Sequence, residues 1–514
     1  MYPGIHAASA PDRPAVIMAG TGQVLTYGEL DERSSRLASA LRGLGLRPGD
    51  VIAVLSNNVP EVFEIYWAAL RSGLYVTPVN RHLAAPEVAH ILADSGAQVL
   101  FASAALDALA GSAAAEVPDL QHRYAFGGAI SGFDSYRELY ESADRISLEE
   151  QPRGAEMLYS SGTTGHPKGI KLALPTVSVD EPGADLIAMM LQHVFAVTSA
   201  DVYLSPAPIY HAAPLKWSAA VHAIGGTVVM MEKFDPAAAL AAIERYQVTV
   251  TQMVPTMFVR LLQLPDDQRA HYDVSSLRLA VHAGAPCPPE VKDAMIAWWG
   301  PIFTEYYGAT ESHGTTVMSS AEWQNKRGSV GRAVLGVVHI CDDDGHELPS
   351  GEIGLVYFER DQPSFSYHND PEKTAGSRHP AHENWATVGD MGYLDEDGYL
   401  YLTDRKSFMI ISGGVNIYPQ EVENVLALHP KIFDAAVIGV PDPEMGEQVK
   451  AVVQLRDGIS PSDELAAEII DYVRGRLAHF KAPRSVDFVD QLPRSETGKL
   501  VKRILKARYV EASA

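Results

Sequence analysis

The sequence predicts an α/β fold in which a large N-terminal domain of mainly parallel sheets covered by helices is followed by a β-rich subdomain and a small α+β C-terminal domain. Three observations predict it. Apolar strand-like runs alternate with amphipathic helices, short strands with Asp/Gly turns begin after Ser329, and separate helix and strand signals follow Asp404. A chain of 514 residues is also too long for one hydrophobic core. We therefore predict two domains, residues 1–404 and 405–514.

The first part of the chain reads as alternating helices and strands. Thr26 and Glu29 match a capping box ahead of an amphipathic helix. The pattern then predicts strands at Val51–Leu55, Tyr75–Pro78 and Gln98–Ala102, with helices at Glu61–Arg71 and Pro86–Ser95. Further on it predicts strands at Thr227–Met231, Val248–Val254 and Leu277–Val281, and a helix at Pro236–Tyr246. Such alternation is typical of parallel sheets with helices on both faces.

After Ser329 the sequence no longer alternates regularly between strands and helices. Asp342–Gly345 and Asp395–Gly398 contain acidic residues and glycine, but neither continues with the spacing of a calcium-binding loop, so both predict hairpin turns. The last segment predicts helices at Gln420–Leu428 and Ser462–Leu477, with strands at Ala435–Gly439 and Val449–Leu455. These elements suffice for a small α+β domain.

Composition narrows the function classes. The formal net charge of −23 argues against nucleic acid as a partner, because nothing offsets phosphate repulsion globally. Two cysteines cannot form a disulfide framework or a zinc cluster. The N-terminus shows no secretory signal, and no apolar run is long enough to predict a membrane span. We therefore expect a cytoplasmic protein.

The most informative stretch is Tyr159–Gly169, which holds four serine or threonine hydroxyls, three glycines and a lysine. Hydroxyls and glycine-exposed backbone N–H groups can surround polyphosphate oxygens, and Lys168 adds a positive charge. The spacing of a Walker A loop is absent, which excludes the P-loop NTPases. Taken alone, the stretch is equally compatible with a polar surface loop.

Four further segments decide between these interpretations. They are Tyr306-Tyr307-Gly308-Ala309-Thr310-Glu311 after the strand-like stretch Pro301–Thr304, Val388-Gly389-Asp390 before a hairpin, Asp404-Arg405-Lys406-Ser407 with the following Ser412–Pro419, and Pro493–Lys499 near the end. In order and spacing, the five segments resemble the adenylate-forming superfamily of acyl-CoA synthetases, adenylation domains and firefly luciferase. The resemblance extends from about Thr26 to Arg508, nearly the whole chain.

The resemblance implies an acyl-CoA synthetase that uses ATP, Mg²⁺ and coenzyme A and proceeds through an acyl-AMP intermediate. Residues 1–404 would be the AMP-binding (adenylation) domain, and residues 405–514 a mobile domain carrying the catalytic lysine. The residues implied to bind the nucleotide and CoA are Ser160, Ser161, Gly162, Thr163, Thr164, Gly165, Lys168, Tyr307, Gly308, Asp390, Arg405, Gly413 and Gly414. Thr310 would touch the phosphate end, and Glu311 would hold Mg²⁺.

The chemistry explains why a mobile lysine is needed. Formation of acyl-AMP brings a carboxylate and a triphosphate together, so catalysis is chiefly charge neutralisation and alignment. The resemblance assigns that role to Lys499, which would bridge the two anions. The C-terminal domain is then expected to swing near Arg405, where Ser407 departs from the family's usual Asp or Lys. The glycines at 413 and 414 would line the pantetheine channel.

The resemblance also implies an acyl pocket lined by Tyr210, His211, Ala283, Gly284, Tyr306 and Gly308. Gly308 replaces the tryptophan expected in acetate-activating relatives, whereas Tyr306 would narrow the tunnel. We therefore predict an apolar carboxylic acid larger than acetate: first a medium- or long-chain fatty acid, then an aromatic or polycyclic acid. Alternatives are an enzyme that loads a carrier protein and a non-catalytic nucleotide-binding or scaffold protein. The expected partners are the acid, ATP and CoA, with a homodimer as a candidate assembly.

Overall fold

The computed structural model describes residues 1–145, 151–160, 167–183, 185–494 and 500–511. Residues up to 160 form helices α1 Pro3–Ser9, α2 Tyr27–Gly43, α3 Glu61–Leu70, α4 Ala85–Ser95, α5 Asp107–Ala115 and α6 Tyr136–Glu141, and strands β1 Pro14–Met18, β2 Val24–Thr26, β3 Val51–Leu55, β4 Tyr75–Val79, β5 Ala97–Ser103, β6 His122–Phe126, β7 Asp134–Ser135 and β8 Ala155–Ser160. Residues 167–323 form strands β9 Lys168–Lys171, β10 Val202–Ser205, β11 Thr227–Met230, β12 Val250–Met253, β13 Leu279–His282, β14 Phe303–Gly308 and β15 Thr315–Ser319, and helices α7 Leu186–His193, α8 Ala212–Ile224, α9 Pro236–Tyr246, α10 Pro255–Leu262, α11 Asp266–Arg269, α12 Pro289–Trp299 and α13 Ser320–Trp323.

The rest of the chain is richer in strands. These are β16 Arg332–Leu335, β17 Val337–Cys341, β18 Gly354–Glu359, β19 Ser366–Tyr367, β20 Trp385–Ala386, β21 Asp390–Leu394, β22 Leu400–Arg405, β23 Ile410–Ser412, β24 Val415–Ile417, β25 Ile432–Asp442, β26 Gly446–Leu455 and β27 Ser485–Phe488. The helices are α14 Pro371–Gly376, α15 Pro419–Leu426, α16 Asp463–Arg474 and α17 Lys502–Glu511.

Two large sheets form the body of the molecule. One has nine strands in the order β16-β15-β14-β13-β12-β10-β11-β1-β2, and the other has eight in the order β19-β9-β8-β4-β3-β5-β6-β7. Their central strands pair in parallel, and strands β3 and β4 are buried at every residue. Burial on both faces explains why these strands are continuous apolar runs in the sequence.

The main hydrophobic core lies between these sheets. Helix α3 is buried from Val62 to Leu70, as expected for a helix packed on all sides. Its Trp67 and the Trp217 of α8 are both fully buried in this core. The capping box that begins α2 is present: Thr26 Oγ1 accepts from Glu29 N at 3.2 Å, and Thr26 N donates to the Glu29 carboxylate at 3.0 Å.

Two smaller sheets complete the fold. Strands β17, β18, β20, β21 and β22 form a mixed-length antiparallel sheet, in which Asp395–Gly398 is the predicted hairpin turn. Strands β23 to β27 form a separate sheet, order β24-β23-β26-β25 with β27 beside β26. Helix α16 packs on that sheet through Leu465, Ile469 and Val473, which recur every fourth residue on one face.

The observed elements confirm the predicted fold class, a large parallel-sheet domain with a β-rich part and a small α+β domain. One prediction was wrong. Tyr306, Tyr307 and Gly308 lie within β14 and do not follow the strand, because β15 returns antiparallel and pairs with them through Gly308. Among the described residues, no helix is long and apolar enough to cross a bilayer.

Candidate functional site

The hairpin of β14 and β15 presents part of the predicted nucleotide site. Tyr306, Tyr307 and Gly308 end β14, and Thr310 and Glu311 occupy the turn that follows. The turn is tight: Ser312 has a φ of 53°, and its N–H donates to the carbonyl of Ala309 at 3.0 Å. This tight turn fixes the position of Glu311 relative to β14 and β15.

The carboxylate of Asp390 is the centre of the first cluster. Its Oδ2 accepts from the Tyr307 hydroxyl at 2.6 Å, and its Oδ1 accepts from Arg405 Nε at 3.0 Å. Asp390 and Arg405 face each other because they are paired across β21 and β22. Burial raises the pKa of Tyr307 well above its usual value, and the charge of Asp390 raises it further, so the phenol stays a donor.

Glu311 is the centre of the second cluster. Its Oε1 accepts from the Tyr367 hydroxyl at 2.9 Å, and the ammonium of Lys373 lies 4.1 Å from the Tyr367 ring centroid. Burial and then Asp390 raise the pKa of Tyr307, and the charge of Glu311 adds to that rise. Burial lowers the pKa of Arg405, but Asp390 and, to a smaller extent, Glu311 raise it above its usual value. The two clusters are therefore electrostatically coupled.

The predicted phosphate loop is held at both of its described ends. Ser160 and Lys168 pair across β8 and β9, so Ser161, Gly162, Thr163, Thr164 and Gly165 lie between them but outside the described residues. The Tyr159 hydroxyl donates to Asp94 Oδ2 at 2.6 Å, and Lys168 forms an ion pair with Asp370. The loop therefore starts and ends at fixed positions beside α14.

The predicted acyl-pocket residues lie in β14, directly after β13 and directly before α8. The ring of Tyr306 stacks on Trp217 with centroids 6.3 Å apart and an interplanar angle of 17°. Burial raises the pKa of Tyr306 to about 12. The rings of Tyr210 and His211 lie just before α8 with their centroids 4.3 Å apart. Ala283 and Gly284 follow β13.

Gly308 is not required by its backbone. A Cβ there would meet Gly314 O at 3.4 Å and Thr315 Oγ1 at 3.5 Å, which are ordinary contacts. A Cβ would therefore fit at this position without displacing its neighbours.

Three residues of the C-terminal segment are predicted to act in the reaction, and the structure describes two of them, Gly413 and Gly414. Gly413 and Gly414 form the turn between β23 and β24 with φ angles of 58° and 80°, and a Cβ at Gly414 would meet nothing within 4 Å. Lys499 lies outside the described residues. Asp404 links the two regions, since its Oδ2 accepts from Gln420 N at the start of α15 at 3.1 Å.

Comparisons with known proteins identify this arrangement. Residues 5–368 match the AMP-binding enzyme family, and residues 421–499 match the AMP-binding enzyme C-terminal domain. The chain belongs to the AMP-binding enzyme family. It is thus an AMP-forming acid–thiol ligase of the adenylate-forming superfamily, which confirms the resemblance seen in the sequence.

Several members of the AMP-binding enzyme family are similar over nearly their full length. A feruloyl-CoA synthase of an Amycolatopsis species is 35% identical, with 99% of this chain and 98% of that protein covered. A fatty acid–[acyl-carrier-protein] ligase of Streptomyces coeruleorubidus is 33% identical, with 99% and 96% covered. The structure of an anthranilate CoA ligase in complex with anthranoyl-AMP gives a TM-score of 0.85 at 26% identity, covering 99% and 97% of the two chains.

Sequence reasoning missed Tyr367, Asp370 and Lys373. They lie about two hundred residues after Lys168, and no periodicity or spacing connects the two segments. The connection comes from the pairing of β19 with β9, Tyr367 opposite Ile170. His313 was also missed: it is fully buried against Phe358, and burial lowers its pKa to about 4.

Proposed function

We propose that this AMP-binding enzyme activates an apolar carboxylic acid larger than acetate with ATP, forms acyl-AMP, and transfers the acyl group to CoA. The observation that carries the proposal is that Asp390, with its two protein donors, and Glu311 come together from different sheets beside Lys168. Positioning and charge neutralisation are what the reaction requires.

The Asp390 cluster is suited to the nucleoside part of ATP. A carboxylate offers roughly four acceptor positions, and Tyr307 and Arg405 occupy two of them. We assign the other two to the ribose hydroxyls. The ring of Tyr307 then provides a face for adenine, and Gly308 next to it leaves room for the base.

The Glu311 cluster is suited to the phosphates. Tyr367 occupies one carboxylate oxygen of Glu311, and the second is the kind of hard oxygen ligand that Mg²⁺ prefers. Mg²⁺ bound there would supply charge neutralisation for the triphosphate. We assign Lys168, Thr310 and the loop Ser160–Gly165 to the β- and γ-phosphates, supported by the fixed position of the loop's ends.

The reaction can then be written for the residues that act on it. A carboxylate oxygen of the acid attacks the α-phosphorus, the bond to the bridging oxygen breaks, and pyrophosphate leaves with that electron pair. We assign neutralisation of the approaching anions to Lys499. The domain boundary proposed at 404/405 places Lys499 and the glycine turn Gly413–Gly414 on one unit that could exchange them. The Asp404–Gln420 contact at that border supports a hinge with a defined resting geometry.

The acid is the least constrained substrate. The stacked pair of Tyr306 and Trp217 forms a flat, rigid aromatic wall, which suits a planar ring better than a flexible chain. We therefore place an aromatic acid first and a medium- or long-chain fatty acid second, with Tyr210, His211, Ala283 and Gly284 completing the pocket. The similarity to a feruloyl-CoA synthase supports this order.

CoA is proposed as the acceptor because the turn has open space beside Gly414, and because Gly413 lacks a side chain where a Cβ would meet Met445 Cε at 2.4 Å. The similarity to a fatty acid–[acyl-carrier-protein] ligase supports a carrier protein as the second candidate. A homodimer and a cytoplasmic location complete the proposal.

Two measurements test the function. A panel of aromatic and aliphatic acids is scored for AMP release with and without CoA; turnover that starts only with a carrier protein would exclude CoA as acceptor. Separately, Lys499→Ala should reduce acid-dependent pyrophosphate release by about 10²–10³-fold. It should largely spare thioester formation from supplied acyl-AMP, and equal loss of both steps would contradict the exchange of Lys499 for the glycine turn.

A further inference from the structure

Lys373 is a cation in an unusual position for a protein surface. It belongs to α14, where its backbone N–H donates to the capping side chain of Asp370 at 3.0 Å. Its side chain is partly buried and lies over Tyr367, the residue that binds Glu311. Among the described residues, no carboxylate lies within 4 Å of its ammonium, although Glu311 and Asp370 are near enough to act on it.

Burial, cations and carboxylates all act on the Lys373 ammonium. Burial lowers the pKa of Lys373 and Lys168 lowers it further, whereas Glu311 and Asp370 raise it; Arg405 lowers it to a smaller extent. The nearer acidic groups are already engaged, since Asp370 pairs with Lys168 and Glu311 accepts from Tyr367. Arg405 is likewise paired with Asp390. Within the part of the chain that the structure describes, the Lys373 ammonium thus has no carboxylate partner of its own within 4 Å, and a polyanion can supply one.

The fold fixes Lys373 in this place. Strand β19 pairs with β9, and the Thr374 hydroxyl connects helix to strand, accepting from Tyr367 N and donating to the Asp370 carbonyl, both at 2.9 Å. Asp94 holds the same segment from the other side through Asn369 at 3.1 Å. These contacts fix the backbone that carries Lys373, and its ammonium lies over the Tyr367 ring, so less remains to be ordered when it binds an anion.

We propose that Lys373 is a pyrophosphate-binding residue, which together with Lys168 contacts the β- and γ-phosphates of ATP and the pyrophosphate that leaves. This inference rests on the proposed adenylation reaction and adds a residue that no sequence motif marked. Pyrophosphate is the leaving group when the acid's oxygen bonds to the α-phosphorus. Lys373 thus acts on adenylation and has no part in attack of the thiol on acyl-AMP.

The test compares two variants of Lys373, one without the positive charge and one with it. Lys373→Met retains the stem over Tyr367, and Lys373→Arg retains the charge. Lys171→Met is the matched control, because the Lys171 ammonium lies 4.9 Å from the Tyr75 ring in the same sheet without facing the Glu311 cluster. Three quantities are measured: KM for MgATP in acid-dependent pyrophosphate release, affinity for inorganic pyrophosphate with Mg²⁺ by calorimetry, and the rate of thioester formation from supplied acyl-AMP.

Losing one charged contact should raise KM for ATP and weaken pyrophosphate binding about ten- to a hundredfold in Lys373→Met. The arginine variant should recover most of the loss, and the thioester step should be unchanged. Unaltered pyrophosphate affinity in Lys373→Met, or equal losses in both half-reactions, would overturn the inference in favour of a structural role. If no acid supports turnover while Lys373→Met still weakens pyrophosphate binding, the proposed function is wrong, but Lys373 is still a pyrophosphate-binding residue.

Discussion

Replacing Asp390 with asparagine should damage ATP use far more than its small change in shape suggests. The carboxylate accepts from Tyr307 at 2.6 Å and from Arg405 at 3.0 Å, and is proposed to accept from the ribose as well. An asparagine amide keeps one acceptor oxygen and turns the other position into a donor. In the favourable orientation the amide oxygen faces Arg405, and the NH₂ group donates to the Tyr307 oxygen, which can also accept. That NH₂ group can no longer accept from the ribose, and the charge that strengthens the Arg405 contact is gone.

The magnitude follows from these contacts. A hydrogen bond to a charged group contributes about 1.5–3 kcal/mol, and a neutral one about 0.5–1.5 kcal/mol. Loss of one ribose contact to the carboxylate and weakening of the Arg405 contact therefore sum to about 2–4.5 kcal/mol. At about 1.4 kcal/mol per tenfold, kcat/KM for ATP should fall between thirtyfold and two-thousandfold.

Tyr307→Phe is the matched control. It removes one donor to Asp390 but leaves both carboxylate oxygens able to accept from the ribose, so kcat/KM for ATP should fall only about tenfold. The assay is acid-dependent pyrophosphate release with ATP varied at saturating acid. Equal losses in Asp390→Asn and Tyr307→Phe, or a loss that appears in KM for the acid alone, would refute the reasoning.

Two further predictions follow from buried side chains. Tyr306→Ala removes the ring stacked on Trp217 and should shift the ratio of kcat/KM for bulky over compact acids at least about tenfold, read from the acid panel; an unchanged ratio would mean that Tyr306 does not border the acid. His313 is neutral in the folded protein because burial lowers its pKa to about 4, whereas the unfolded chain protonates near 6.5. Its contribution to stability is therefore constant above about pH 7 and is lost as pH falls from 6.5 toward 4, amounting to about 2 kcal/mol at pH 5. His313→Asn should lose about that much less stability than the parent between pH 7.5 and pH 5 in denaturant titrations, and identical pH profiles would contradict the assignment.

The sequence by itself determined part of the secondary structure, and it determined the family. Buried parallel strands such as Val51–Leu55 are continuous apolar runs, and the capping box at Thr26 and Glu29 is a local signal that needs no distant partner. The ordered motifs from Tyr159 to Lys499 likewise depend only on residue type and spacing, so they were readable before any fold was known. Interactions between residues close together in the chain can be predicted from short stretches of sequence.

Only the tertiary structure decided which polar groups meet. Tyr307 and Asp390 are eighty-three residues apart, and Lys168 and Asp370 are two hundred and two apart, so no local pattern could connect them. Tyr307 reaches Asp390 because it packs against Phe358 of β18, the strand beside β21, and Lys168 reaches Asp370 through the pairing of β19 with β9. Lys373 shows the same point. In the sequence it is a lysine in a short helix, and it becomes a candidate ligand for pyrophosphate because strand pairing brings it near Glu311 and Lys168.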